Sequence, residues 1–128
     1  MYRISIIPGD GIGPEIVTAA RRVVDATRVM VEWEEVIAGQ CAVPDYGVPI
    51  PEEAIASVKK NKVALKGPMT NIVGAGFPSP NITLRIKLDL FANLRLARTI
   101  KGAASPFTDV DLVVVRENTE DVYVGKEQ

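Results

Sequence analysis

Short apolar runs alternate with amphipathic segments along this chain, and that alternation limits the folds open to it. Residues 3–7 read as a strand, and residues 63–65 and 111–115 are continuous apolar runs typical of strands covered on both faces. Residues 16–28 repeat apolar side chains every three or four positions, with charges on the other side. Strands interleaved with helices indicate a mostly parallel sheet with flanking helices, an α/β fold.

Two further segments continue the alternation. Residues 31–34 alternate like a half-exposed strand, and residues 51–60 carry acids in their first turn and lysines in their last, as a helix dipole prefers. A turn rich in glycine and proline, residues 8–14, joins the first strand to the first helix. The turn lacks the full dinucleotide-binding spacing, so a tight strand-to-helix connection explains its glycines as well as a phosphate loop does.

Composition excludes several classes of function. The chain has 128 residues, 47% of them hydrophobic, and a net charge of -1, which fits one globular core without general attraction to nucleic acid or to an anionic membrane. The apolar run at the N-terminus is too short for a signal peptide, so secretion is not expected. Cys41 is the only cysteine and the chain has no histidine, so we expect a small buried thiol there.

Three arginines stand among apolar residues that would normally be buried: Arg85, Arg95 and Arg116. A guanidinium in such surroundings needs an anionic partner or a wet cavity. Arg95 falls in a predicted strand, and Arg116 follows the apolar run at the carboxyl end of another, where open α/β sheets place ligands. The simplest common partner is a ligand with several carboxylates, around which the guanidinium groups converge.

The segment around the first arginine fits two periods, because its apolar residues alternate like a strand and also fill helical rows. Ser79 suits a helix N-cap and Pro80 suits the first helical position, so we predict a helix from about Pro80. Asn81 and Arg85 then lie on one face near a helix N-terminus, which favours an anion. With Ser79 they form a predicted carboxylate cradle.

Five motifs in order give the chain a resemblance that spans essentially its whole length: residues 8–15, 65–68, 79–85, 88–95 and 115–123. Together they resemble the isocitrate and isopropylmalate dehydrogenase family, whose members oxidise and decarboxylate 2-hydroxy acids with NAD or NADP and a divalent metal. Isopropylmalate enzymes usually carry a segment rich in acidic residues and leucine where this chain has Ser79-Pro80-Asn81. The serine and asparagine therefore favour isocitrate, and homoisocitrate stays possible.

The resemblance implies a role for each polar residue of the cradle. Ser79 and Asn81 would hydrogen-bond the distal carboxylate of isocitrate. The two other carboxylates would be held by Arg85, Arg95 and Arg116, through paired N–H bonds where the geometry allows.

The resemblance also assigns residues to the chemistry and to the cofactor. Tyr123 would give a proton to the carbanion or enol left after carbon dioxide departs, helped by nearby cations. Thr70 matches a position that contacts the nicotinamide end of NAD or NADP, and Lys66 lies nearby in sequence. Ser79 matches a serine that some bacterial relatives phosphorylate, where a phosphate would repel the substrate carboxylate.

Departures from the family pattern concern the second half of the enzyme. Three features of the family have no match here: the aspartates that hold Mg²⁺ or Mn²⁺, the catalytic lysine given by the partner subunit of the family's homodimer, and the adenosine-binding loop. We therefore expect the N-terminal part of a larger cytoplasmic two-domain dehydrogenase, with residues 1–98 in the large domain and 99–128 beginning the second. On that view the chain alone is inactive.

Two alternatives remain open. The chain could be a non-catalytic module that binds a tricarboxylate or has a regulatory role. Such a module would have kept the anion cradle without the chemistry. It could also be a segment of a homoisocitrate or isopropylmalate dehydrogenase.

Overall fold

The computed structural model of the chain describes residues 1–71, 74 and 76–120. They divide into two compact units, with the first ending at Leu88 and the second beginning at Asp89. The first unit contains, in chain order, β1 Tyr2–Ile7, α1 Gly13–Ala26, β2 Val31–Glu35, α2 Val43–Tyr46, α3 Glu52–Asn61, β3 Ala64–Lys66 and α4 Pro80–Lys87. The second contains β4 Ala92–Arg98 and β5 Asp111–Glu117.

The sheet of the first unit is parallel, as the sequence predicts. β1 lies between β2 and β3 and pairs in parallel with both, with Ile4 opposite Trp33 and Ile6 opposite Leu65. Helices in both connections return the chain to the start of the next strand, as parallel pairing requires. Because β1 is central, its last three residues are almost fully buried.

The core of this unit lies between the central strand and the helices α3 and α4. Its buried cluster consists of Ile7, Ala38, Ile50, Ala54, Ile55, Met69 and Leu84. Ile7 comes from the central strand, and Ala54 and Ile55 come from one face of α3. Met69 and Leu84 belong to the segment after β3 and to α4, so both are held by the same packing. Apolar burial of this kind is the main stabilising term for a small unit.

A buried polar network joins α3 to the sheet. Ser5 and Ser57 place their hydroxyl oxygens 2.7 Å apart, and the Asn61 amide donates to Ser5 Oγ at 2.9 Å and to Glu34 at 3.3 Å. Hydrogen bonding by Ser57, Asn61 and Lys60 lowers the pKa of Glu34. These bonds satisfy polar atoms at a site where an unpaired hydroxyl would be costly.

The second unit corrects part of the sequence-based picture. β4 and β5 pair antiparallel, with Leu94 opposite Val115 and Leu96 opposite Val113, and both strands are largely exposed. The prediction that residues 63–65 and 111–115 are covered on both faces is therefore wrong for the described residues. An apolar run indicates a preference for burial, but β3 lies at the edge of the described sheet and most side chains of the β4–β5 ribbon are exposed.

The predicted helices are confirmed within one or two residues. α1 begins at Gly13 with Pro14 in its first turn, α3 carries Glu52 and Glu53 at its start, and α4 begins at Pro80. In the part of the chain that is described, no helix is long and apolar enough to cross a membrane. The predicted assignment of 1–98 and 99–128 to two enzyme domains stays a prediction.

Candidate functional site

Helix α4 presents the predicted cradle beside the core. Pro80 and Leu84 are buried, and Leu84 fixes the helix in the core cluster. Asn81 and Arg85, one turn apart, are half-buried next to these anchors. The helix therefore has one apolar row inside and a polar row at the edge, with the polar row in the first two turns.

Ser79 occupies the N-cap position but does not use its side chain as a cap. No cap hydrogen bond is made by its hydroxyl, which instead donates to Asn71 Oδ1 at 2.8 Å. The expected capping role of the Ser79 side chain is therefore wrong, because an amide from the preceding segment competes for the hydroxyl. Asn71 was not among the residues singled out from the sequence, where nothing marks it as a partner of Ser79.

Lys66 lies against the predicted substrate residues. Its ammonium donates to Asn81 Oδ1 at 3.0 Å and to the carbonyl of Gly67 at 2.6 Å. Because the ammonium occupies the amide oxygen, the NH₂ group of Asn81 is the group available to donate to an anion. The pKa of Lys66 is lowered by burial first and then by the charge of Arg85, with Asp10 acting in the opposite direction. Lys66 and Arg85 thus form a pair of cations beside Asn81.

Asp10 is a residue of this region that sequence reasoning missed. Its carboxylate accepts hydrogen bonds from the backbone N–H of Thr70 at 2.8 Å, of Gln40 at 2.8 Å and of Cys41 at 3.0 Å. Burial by itself raises the pKa of Asp10, but these hydrogen bonds outweigh it and the pKa is lowered. An aspartate in a glycine turn is common turn chemistry, so the sequence carries no signal for contacts 30 and 60 residues away.

Packing explains two glycines of the first turn, Gly9 and Gly13. A Cβ at Gly9 would lie 2.0 Å from the carbonyl oxygen of Pro68, and a Cβ at Gly13 would lie 2.3 Å from that of Pro8. Gly67 approaches from the other side, where a Cβ would lie 2.1 Å from the Pro8 oxygen. The turn and the segment after β3 therefore meet backbone to backbone, which favours the tight-turn interpretation over a phosphate loop.

Cys41 differs from its prediction. The residue is exposed rather than buried, and its thiol lies near the carbonyls of Ala38 and Gly9, at 3.6 and 3.9 Å. Partial burial of the sulfur against these carbonyls first, and the Asp10 charge next, raise the pKa of the Cys41 thiol. A short 3₁₀ turn, Gln40–Ala42, directs the small residue Ala42 inward and Cys41 outward, which composition alone does not predict.

In the second unit, Arg95 and Arg116 share one face of the β4–β5 ribbon. Arg95 stands opposite Val114 and Arg116 stands opposite Asn93. Because side chains two residues apart on a strand point to the same face, the two arginines are diagonal neighbours across the pair. Arg116 is half-buried and Arg95 is exposed.

The remaining predictions for the site are not tested by these contacts. Arg85 belongs to the first unit and Arg95 and Arg116 to the second, and their convergence stays a prediction. Tyr123, the predicted proton donor, lies outside the described residues. Contact of Thr70 and Lys66 with a cofactor also stays a prediction.

Among residues 1–71, 74 and 76–120, no three histidine, cysteine, aspartate or glutamate side chains lie together in a way that could hold a metal ion. The part of the chain described therefore does not fit a divalent metal site.

Known proteins resemble this chain over nearly all of its length. The family model described as isocitrate/isopropylmalate dehydrogenase matches residues 3–128. The isocitrate dehydrogenase [NADP] of Staphylococcus epidermidis is 46% identical over 97% of this chain and 32% of its own length. The human mitochondrial isocitrate dehydrogenase [NAD] subunit alpha is 45% identical over 97% of this chain and 34% of its own.

Solved structures give the same result. The crystal structure of isocitrate dehydrogenase from Methylococcus capsulatus matches with a TM-score of 0.90 and 48% identity, covering 98% of this chain and 37% of that one. The chain thus spans about a third of the length of the relatives it matches. Matches in sequence and in fold agree over almost every residue, and the chain belongs to the isocitrate/isopropylmalate dehydrogenase family.

Proposed function

We propose that this chain supplies the substrate-carboxylate site of an isocitrate dehydrogenase, which converts isocitrate to 2-oxoglutarate with NAD or NADP. The observation that carries the proposal is the cluster at α4, where Lys66 fixes the amide of Asn81 beside Arg85. The set comprises the NH₂ donor of Asn81, the Lys66 ammonium that contacts this amide, and the Arg85 guanidinium one helical turn along α4. A carboxylate is the simplest ligand for such a set.

Each carboxylate of isocitrate has a proposed partner. Asn81 donates its NH₂ group to the distal carboxylate, and Ser79 joins it by turning its hydroxyl from Asn71 to the ligand. Arg85, Arg95 and Arg116 are the proposed partners of the other two carboxylates, through paired N–H bonds where the geometry allows.

The chemistry needs groups beyond this cradle. NAD or NADP, when bound, accepts the hydride from the hydroxyl-bearing carbon, and Thr70 and Lys66 are the proposed contacts of its nicotinamide end. Tyr123 is the proposed donor of the proton that replaces carbon dioxide. No step is assigned to Mg²⁺ or Mn²⁺, since the described residues do not form a site for either ion. We further propose that the complete enzyme is a cytoplasmic homodimer with no nucleic-acid or membrane partner.

An activity assay of the complete gene product tests the proposal. Isocitrate, homoisocitrate and isopropylmalate are each supplied with magnesium or manganese and with NAD or NADP, and reduced nicotinamide and 2-oxoglutarate are measured. We expect isocitrate to be oxidised with the highest kcat/KM. If none of the three substrates yields reduced nicotinamide while citrate or isocitrate still binds in a calorimetric titration, the protein is instead a non-catalytic tricarboxylate-binding module.

A further inference from the structure

The Asp10 carboxylate lies where three backbone segments of the first unit meet. Its Oδ2 accepts from the N–H groups of Thr70 and Gln40, both at 2.8 Å, and its Oδ1 accepts from Cys41 N–H at 3.0 Å. The backbone N–H of Asp10 also donates to the carbonyl of Pro68 at 2.8 Å. Four hydrogen bonds at one residue therefore connect the glycine turn to two segments distant in sequence.

Packing holds the carboxylate in this position. A Cβ at Gly39 would lie 2.5 Å from Oδ2 and 2.7 Å from Oδ1 of Asp10, so the carboxylate fills the space that a side chain at Gly39 would take. The backbone of Gly39 has φ of 117°, a conformation that suits glycine. Hydrogen bonds on one side and a glycine on the other leave the carboxylate little room to move.

We propose that Asp10 is a positioning residue that fixes the backbone of Thr70 at the candidate site. The inference rests on the proposed function, because Thr70 is the position assigned there to the nicotinamide end of the cofactor. A segment that is ordered before the ligand arrives loses less conformational entropy when the ligand binds. Asp10 itself touches neither substrate nor cofactor in this proposal.

Hydrogen exchange tests the fixing step without any ligand. In the complete gene product, Asp10→Ala removes the acceptor of the Thr70 N–H, and we expect that amide to exchange at least about tenfold faster. Asp10→Asn keeps one acceptor oxygen and is expected to give a smaller increase. Gly39→Ala displaces the carboxylate from the opposite side and is expected to accelerate the same amide.

The matched control is Asp45→Ala, which removes an exposed aspartate from α2 and should leave exchange at Thr70 unchanged. Should Asp10→Ala fail to fold, Asp10→Asn and Gly39→Ala carry the test. Unchanged exchange at Thr70 in the folded Asp10 variants would overturn the proposal.

Steady-state kinetics test the consequence for the cofactor. If only a tenth of the Asp10→Ala molecules hold Thr70 in place, the KM for the cofactor rises about tenfold while kcat stays within about threefold. A lowered melting temperature with an unchanged KM would show that Asp10 stabilises the fold alone, and the proposal would be wrong. If the wild-type protein does not oxidise isocitrate, the proposed function fails, and exchange at Thr70 alone then decides whether Asp10 fixes that segment.

Discussion

Replacing Gly67 with alanine is expected to destabilise the protein by on the order of 3 kcal/mol or more, the upper part of the range for overpacking a well-filled site. The added Cβ would lie 2.1 Å from the carbonyl oxygen of Pro8 and 2.8 Å from a methyl of Val17. A flexible side-chain end could give way to it, but the Pro8 carbonyl belongs to the turn after the central strand. Relief therefore requires the turn and the segment after β3 to move apart.

The melting temperature of the complete gene product checks this expectation. Gly11→Ala is the matched control, because it makes the same substitution in the turn that Gly67 packs against, with nothing within 4 Å of the new Cβ. Its only expected cost is the left-handed backbone, φ of 57°, worth about 1 kcal/mol. An equal fall in melting temperature for the two variants would contradict the packing explanation of Gly67.

Replacing Arg85 with alanine is expected to weaken isocitrate binding about tenfold to a hundredfold, the effect of losing charge-assisted hydrogen bonds worth about 1.5–3 kcal/mol. Arg85 lies one turn after Asn81 on α4, and its charge reaches Lys66. Arg85→Lys keeps the charge but loses the fork, so it should recover only part of the affinity.

Calorimetric titration of isocitrate into the complete gene product measures the loss. Arg22→Ala on α1 is the control, because it removes an exposed arginine from another helix of the same unit. Affinity unchanged in Arg85→Ala, or reduced equally in Arg22→Ala, would remove Arg85 from the site.

Features decided by neighbouring residues could be predicted from the sequence. Pro80 suits the first position of a helix better than the interior of a strand. The predicted helix from Pro80 is confirmed, although the apolar pattern of the segment fits both periods. The parallel sheet follows from the alternation of apolar runs with amphipathic helices. Because Asn81 and Arg85 are one helical turn apart, the prediction of α4 alone places them on the same side of the helix.

Features decided by distant residues could not be predicted in this way. Its position before α4 predicts that the Ser79 hydroxyl caps the helix, yet the hydroxyl donates to Asn71 instead. Asp10 acts on Gln40 and Thr70, and nothing near Asp10 in sequence indicates either contact. The apolar run of β5 predicts burial, but the ribbon it forms with β4 leaves Val115 66% exposed. For Ser79 and Asp10 the hydrogen-bond partner comes from another segment of the chain.

In the proposed site, the start of α4 binds a carboxylate of the substrate. The most direct test compares kcat/KM for isocitrate and for isopropylmalate in an Asn81→Leu variant of the complete gene product. Isopropylmalate carries an apolar branch where isocitrate carries its third carboxylate, so only isocitrate loses a hydrogen bond to this residue. We expect kcat/KM for isocitrate to fall about tenfold to a hundredfold, and that for isopropylmalate to stay within about threefold. An equal change for both substrates, or no change for isocitrate, would contradict a carboxylate site at Asn81.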